Sequence, residues 1–119
     1  MCGDLNDQEQ IDDELFERFI KLTQRFGVSP EANGGRLQLD SEDARREYME
    51  DLFKAGLTRC LNDAAGLPNG ERMDAIAGQA IVFARLAGFL AAQFPPEADL
   101  FRTVTAATVD GHREPSTIH

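Results

Sequence analysis

A chain of 119 residues, 42% hydrophobic and 28% charged, is long enough for one core, too short for two, and too apolar to be disordered. Its formal net charge is −9, and the sign is concentrated: residues 1–51 hold fourteen acids and six bases, whereas residues 52–119 hold seven acids and six bases. Such a surface repels nucleic-acid phosphates and anionic membranes, which argues against direct nucleic-acid binding.

The first helix is expected from about Gln8 to Phe26. Ile11, Leu15, Phe19, Leu22 and Phe26 follow one another at steps of four, four, three and four, and so share one stripe, which Phe16 and Ile20 widen. Asp7 is the expected cap, and Gly27 with Pro30 beyond it the expected stop. The following stretch is rich in turn residues: Ser29, Asn33, Gly34 and Gly35. Leu37 and Leu39 alternate with polar neighbours there, a pattern that would pin the loop to the core. A single extended segment makes no sheet.

A second helix is expected from Asp40 or Ser41 to about Ala65. Tyr48, Met49, Leu52, Phe53, Leu57, Cys60, Leu61 and Ala64 give it a broad apolar face suited to two neighbours. Gly56 lies within that face at a cost of about 1 kcal/mol relative to Ala, which a close helix crossing would explain. Gly66, Pro68, Asn69 and Gly70 end it.

Residues 73–94 are apolar almost all round, with Gln79, Arg85 and Gln93 the strongly polar residues between Ala75 and Phe94. Such a helix is buried on most sides or lies in a membrane. Arg85, at its midpoint, would cost roughly 2.5–3.5 kcal/mol in a bilayer, and its flanks carry Asp74 and Glu97 rather than a basic cluster. The buried, soluble alternative is therefore the expectation. Ala77, Ala80, Ala84, Gly88 and Ala91 recur every three or four residues and form a small-residue face. Either another helix of the same chain packs there, with Gly56 opposite, or a second copy of the chain does. A fourth helix is expected to start at Pro96 and to close at Gly111, with Leu100, Phe101, Val104, Ala107 and Thr108 inward.

The expected fold is thus all-α, a four-helix orthogonal or bundle-like domain over residues 8–111 around a central apolar third helix. Loose ends are expected over 1–7 and 112–119. The acidic N-terminus has no apolar leader, and Cys2 and Cys60 occupy unlike positions, so a reduced, cytoplasmic protein is expected.

No catalytic, cofactor or metal motif emerges. A catalytic Cys2 in the opening Met1-Cys2-Gly3 would need a layered sheet that this chain does not supply. The acids of the first half include no Glu-x-x-His pair, and His112 and His119 both lie near the C-terminal end. Tyr48, Arg85 and His112 form the one polar combination that a pocket between helices two, three and four would bring together. The main expectation is a non-catalytic interaction module with no cofactor, paired with a second copy as a homodimer or with another protein through helix 73–94. One alternative is a nucleic-acid mimic in which the acids of residues 1–51 block a basic protein. The other is a small enzyme or ligand carrier.

Overall fold

The computed structural model describes residues 3–31 and 37–113, with side chains over 10–31 and 37–113. Cys2, His119, Asn33, Gly34, Gly35 and the tail 114–119 lie outside the described residues. The fold is all-α and bundle-like: helices α1 (Gly3–Gln24), α2 (Glu42–Ala65), α3 (Arg72–Ala91) and α4 (Leu100–Arg113), with one 3-10 turn, Pro96–Ala98. No strand occurs among the described residues.

The backbone of α1 is already helical at Gly3, so Asp7 lies inside the helix and not at its cap. No strong breaker separates Gly3 from the apolar stripe, and an established helix adds residues at little cost. Its other end is as expected. Gly27 takes a left-handed φ of 76°. Its N–H donates to the Gln24 carbonyl at 3.0 Å, and the Val28 N–H donates to the Thr23 carbonyl at 3.2 Å. This pair of bonds closes carbonyls that the helix end would leave unpartnered.

Leu37 and Leu39 do not pin the loop to a core, for they are 66% and 38% exposed. The Leu39 backbone holds the segment instead, its carbonyl accepting from Arg45 Nη1 at 3.0 Å. Ser41 caps α2, its Oγ accepting the Ala44 N–H at 3.1 Å.

The turn from α2 to α3 is held by Arg72, which donates from Nε to the Leu67 carbonyl at 2.9 Å and from Nη2 to the Ala65 carbonyl at 3.5 Å. The two helices then pack against each other. Gly56, Cys60 and Ala64, four residues apart, share the face of α2 that meets α3. Gln79 Nε2 donates to the Cys60 carbonyl at 3.0 Å. The Phe83 ring comes within 4.0 Å of where a side chain on Gly56 would begin. The small-residue face used in this crossing therefore belongs to α2, and Gly56 meets the bulky side of α3 rather than its alanine stripe.

Pro96 opens only the short 3-10 turn. Asp99 then adopts a left-handed φ of 49°, which breaks the helical path, and α4 starts at Leu100 rather than Pro96. Gly111 does not close α4, which continues to Arg113. A glycine within a helix costs about 1 kcal/mol but does not by itself end it.

Helix α3 packs on both α2 and α4. Helix α1 is attached differently, through aromatic rings: Phe19 and Phe26 both meet Phe89, with centroids 6.1 and 6.0 Å apart. This arrangement buries little. Among the described residues the buried hydrophobic side chains are Ala64 and Ala91, 5% and 8% exposed. The radius of gyration is 17.3 Å, against about 13.5 Å for a compact domain of this length. The expectation that one chain would enclose helix 73–94 is not met. With α1 standing off on one aromatic seam, α2 and α4 alone cannot surround a helix that is apolar on all sides.

Candidate interaction surface

Many of the side chains that the described residues leave exposed are large and apolar. Helix α3 is 20 residues long and, by length and composition, sufficient to cross a bilayer. Its large side chains Met73, Ile76, Ile81, Val82, Phe83, Leu86 and Leu90 are all exposed, while Phe89 is half-buried beneath the rings of α1. On α2, Leu52, Phe53, Leu57 and Leu61 are exposed as well. Scattered apolar residues are ordinary on a protein surface, whereas large exposed apolar patches are unusual on a monomeric soluble protein.

The alanine stripe of α3 is divided. Ala77, Ala80 and Ala84 are exposed, Gly88 is half-buried, and Ala91 is buried. No atom beyond the helix's own backbone lies within 4 Å of where a side chain on Gly88 would begin. The open part of the stripe is therefore not used for helix packing within the chain. Arg85 is exposed and makes no ion pair with another described residue, so its charge is solvated.

An open groove of about 430 Å³ runs between α1 and the C-terminal end of α3. Leu15, Phe16 and Phe19 form one wall, Leu90 and Phe94 the other, and Asp12 and Gln93 are its polar members. The Phe16 and Phe19 rings lie 6.4 Å apart. The spacing of α1 showed the stripe that supplies one wall. It did not show that the end of α3 would supply the other, because periodicity identifies a face and not its neighbour.

The polar combination is not assembled. Tyr48 is half-buried, Arg85 and His112 are exposed, and no hydrogen bond or ion pair joins any two of them. None of the three lines the groove. Among the described residues, no three His, Cys, Asp or Glu side chains come together in a way that could hold a metal ion. Of the fourteen acids of the first half, seven lie in α1 and five in α2, and the packed helix pairs are α2 with α3 and α3 with α4. Cys60 is a free, half-buried thiol on the packed face of α2.

No protein-family model matches the chain, and neither a curated protein nor a solved structure shows a significant match to it.

Proposed function

We propose that the protein is a non-catalytic helical interaction module that self-associates as a homodimer through helix 73–94 and the groove beside its C-terminal end. The observation that carries this reading is the exposure of α3: twenty residues of apolar helix, with Ala91 alone buried. Burial of apolar surface is the principal favourable term in folding, worth roughly 25 cal/mol per Å². A chain whose buried hydrophobic residues, among those described, are two alanines has little of that term to set against the entropy of ordering its backbone. Covering the open face with a second copy supplies the missing burial, so folding and association become one equilibrium.

The same reading accounts for the alanine stripe. Ala77, Ala80 and Ala84 allow a neighbouring backbone to approach, and they lie on the part of α3 that its own chain leaves open. The groove beside α3 is open and lined mainly by apolar side chains, the lining expected of a protein-docking surface. Protein rather than lipid is its proposed cover, because Arg85 projects from the middle of the same helix.

Sedimentation velocity of the full chain over a micromolar concentration series tests the proposal. A mass of two chains that falls toward one on dilution supports it. A well-folded monomer throughout the series contradicts it.

A further inference from the structure

We infer that the open face of α3 over residues 73–84 lies antiparallel against the same face of a second copy, about a two-fold axis level with Ala80, and that Asp74 of each copy pairs with Arg85 of the other. This rests on the self-association reading above and names the face, the direction and the charged pair that carry it.

Three observations lead there. The first is where α3 is open. Its own chain covers the side that meets α2, where Gln79 reaches the Cys60 carbonyl and Phe83 faces Gly56. It also covers the C-terminal end, where Gly88 and Phe89 are half-buried and Ala91 is buried. Met73, Ala77, Ile81 and Ala84 are exposed. At about 100° per residue these four share an arc of about 80°, on the side of the helix away from Gln79 and Phe83. The two alanines let a second helix approach, and Met73 and Ile81 supply bulk to either side of them.

The second is the fate of the charges, which selects the occupant. Helix α3 carries three charged residues: Arg72, Asp74 and Arg85. Arg72 is used within the chain, on the carbonyls of Leu67 and Ala65. Asp74 and Arg85 are exposed and make no ion pair with another described residue. They stand eleven residues apart, which is three turns to within about 20°. Both therefore flank the open face on the same side, roughly 60° from the line through Ala77, Ile81 and Ala84. Their midpoint falls between Gln79 and Ala80, near the middle of the open stretch. In an antiparallel pair about a two-fold axis, residues on the same flank and equally far from the axis come level with each other. Reversing α3 about Ala80 thus sets Asp74 of each copy beside Arg85 of the other, and Ala77 alongside Ala84. A parallel pair would set acid beside acid and base beside base, and only the antiparallel one also opposes the helix dipoles. The complement of a face charged in this way is the same face reversed, which is the isologous contact of a two-fold dimer.

The third is area. The chain exposes 10413 Å², whereas a compact protein of 13.1 kDa exposes roughly 6,400 Å². A standard interface covers about 800 Å² per partner. The surplus is more than enough for a stable pair of copies to cover.

The test is sedimentation equilibrium on the full chain, with circular dichroism recording helix content for each variant. Ala84→Glu exchanges one strong helix former for another at an exposed position, and sets bulk and charge where the two helices come closest. It is expected to raise the dimer Kd by about a hundredfold or more. Arg85→Asp, also at an exposed position, turns each charged pair into a repulsion and is expected to weaken the dimer about tenfold. Asp74→Arg added to it restores most of the loss, since the pair is then reversed rather than broken. A wild-type dimer whose Kd does not change in Ala84→Glu or Arg85→Asp, or that Asp74→Arg fails to rescue, overturns the antiparallel α3 contact and leaves self-association standing. A wild-type chain that is monomeric, or that sediments with neutral lipid vesicles instead of forming a discrete dimer, overturns both.

Discussion

Helices α2 and α3 are joined by a short turn and held across it by directed bonds, whereas α1 is joined through a long connection and meets the rest of the chain at aromatic rings. In the first region, Arg72 reaches the carbonyls at the end of α2, Gln79 reaches the Cys60 carbonyl, and Gly56 faces the Phe83 ring. In the second, Phe89 receives both Phe19 and Phe26. The contrast is between a hairpin whose geometry is fixed locally and an arm whose position depends on one ring.

Breaking the weaker region should have the largest effect. Phe89→Ala removes both ring contacts. Because Phe89 is half-buried, the cost should be about 2 kcal/mol, below the 3–5 of a fully enclosed Phe. Hydrogen exchange is expected to show α1 amides opening about thirtyfold more readily while α2 amides keep their protection; equal loss in both helices would erase the distinction. Gly27→Ala places a Cβ on a residue with φ 76°. It should cost about 1 kcal/mol and loosen the last turn of α1 without disturbing α3. Chemical-shift changes confined to residues 22–31 would show this.

In the stronger region, Gln79→Ala removes the bond to the Cys60 carbonyl and should cost about 1 kcal/mol in urea unfolding, with the oligomeric state retained. Gly56→Ala has the opposite sign. The new methyl would lie 4.0 Å from Phe83, an ordinary van der Waals separation, and the helix gains propensity. A stabilisation of about 0.5–1 kcal/mol is expected. A destabilised Gly56→Ala protein would mean that the crossing is tighter than described. The smallest effect is expected from Arg59→Ala. The exposed 2.9 Å pair with Asp63 should contribute no more than about 0.5 kcal/mol, readable as an unchanged urea midpoint.

The four helices were legible in the sequence because helix periodicity is a local property. Ile11, Leu15, Phe19, Leu22 and Phe26 describe one stripe whatever the stripe touches, and Ser41 and Gly27 mark helix ends through their own backbone chemistry. The start of α1 at Gly3 and the break at Asp99 were less legible. Each is decided by marginal preferences that differ by a fraction of a kcal/mol. Neighbours were not legible at all. Gly56 suggested a close helix crossing, but its neighbour is the Phe83 ring at ordinary contact distance, and a helix that is apolar on all sides offers no preferred face, so nothing in its spacing pointed to Phe83 rather than the alanine stripe. The groove depends on the same missing information. Phe16 and Phe94 are far apart in sequence, and only the fold brings their surfaces to one cleft.

The central claim is that one chain does not complete its own apolar core and a second copy does. Thermal unfolding followed at two protein concentrations about a hundredfold apart tests it most directly. If association and folding are coupled, the more concentrated sample is stabilised by about 2.7 kcal/mol per dimer, and its Tm should lie roughly 5–10 °C higher. Superimposable, cooperative transitions at both concentrations, with the mass of a single chain in solution, would contradict it.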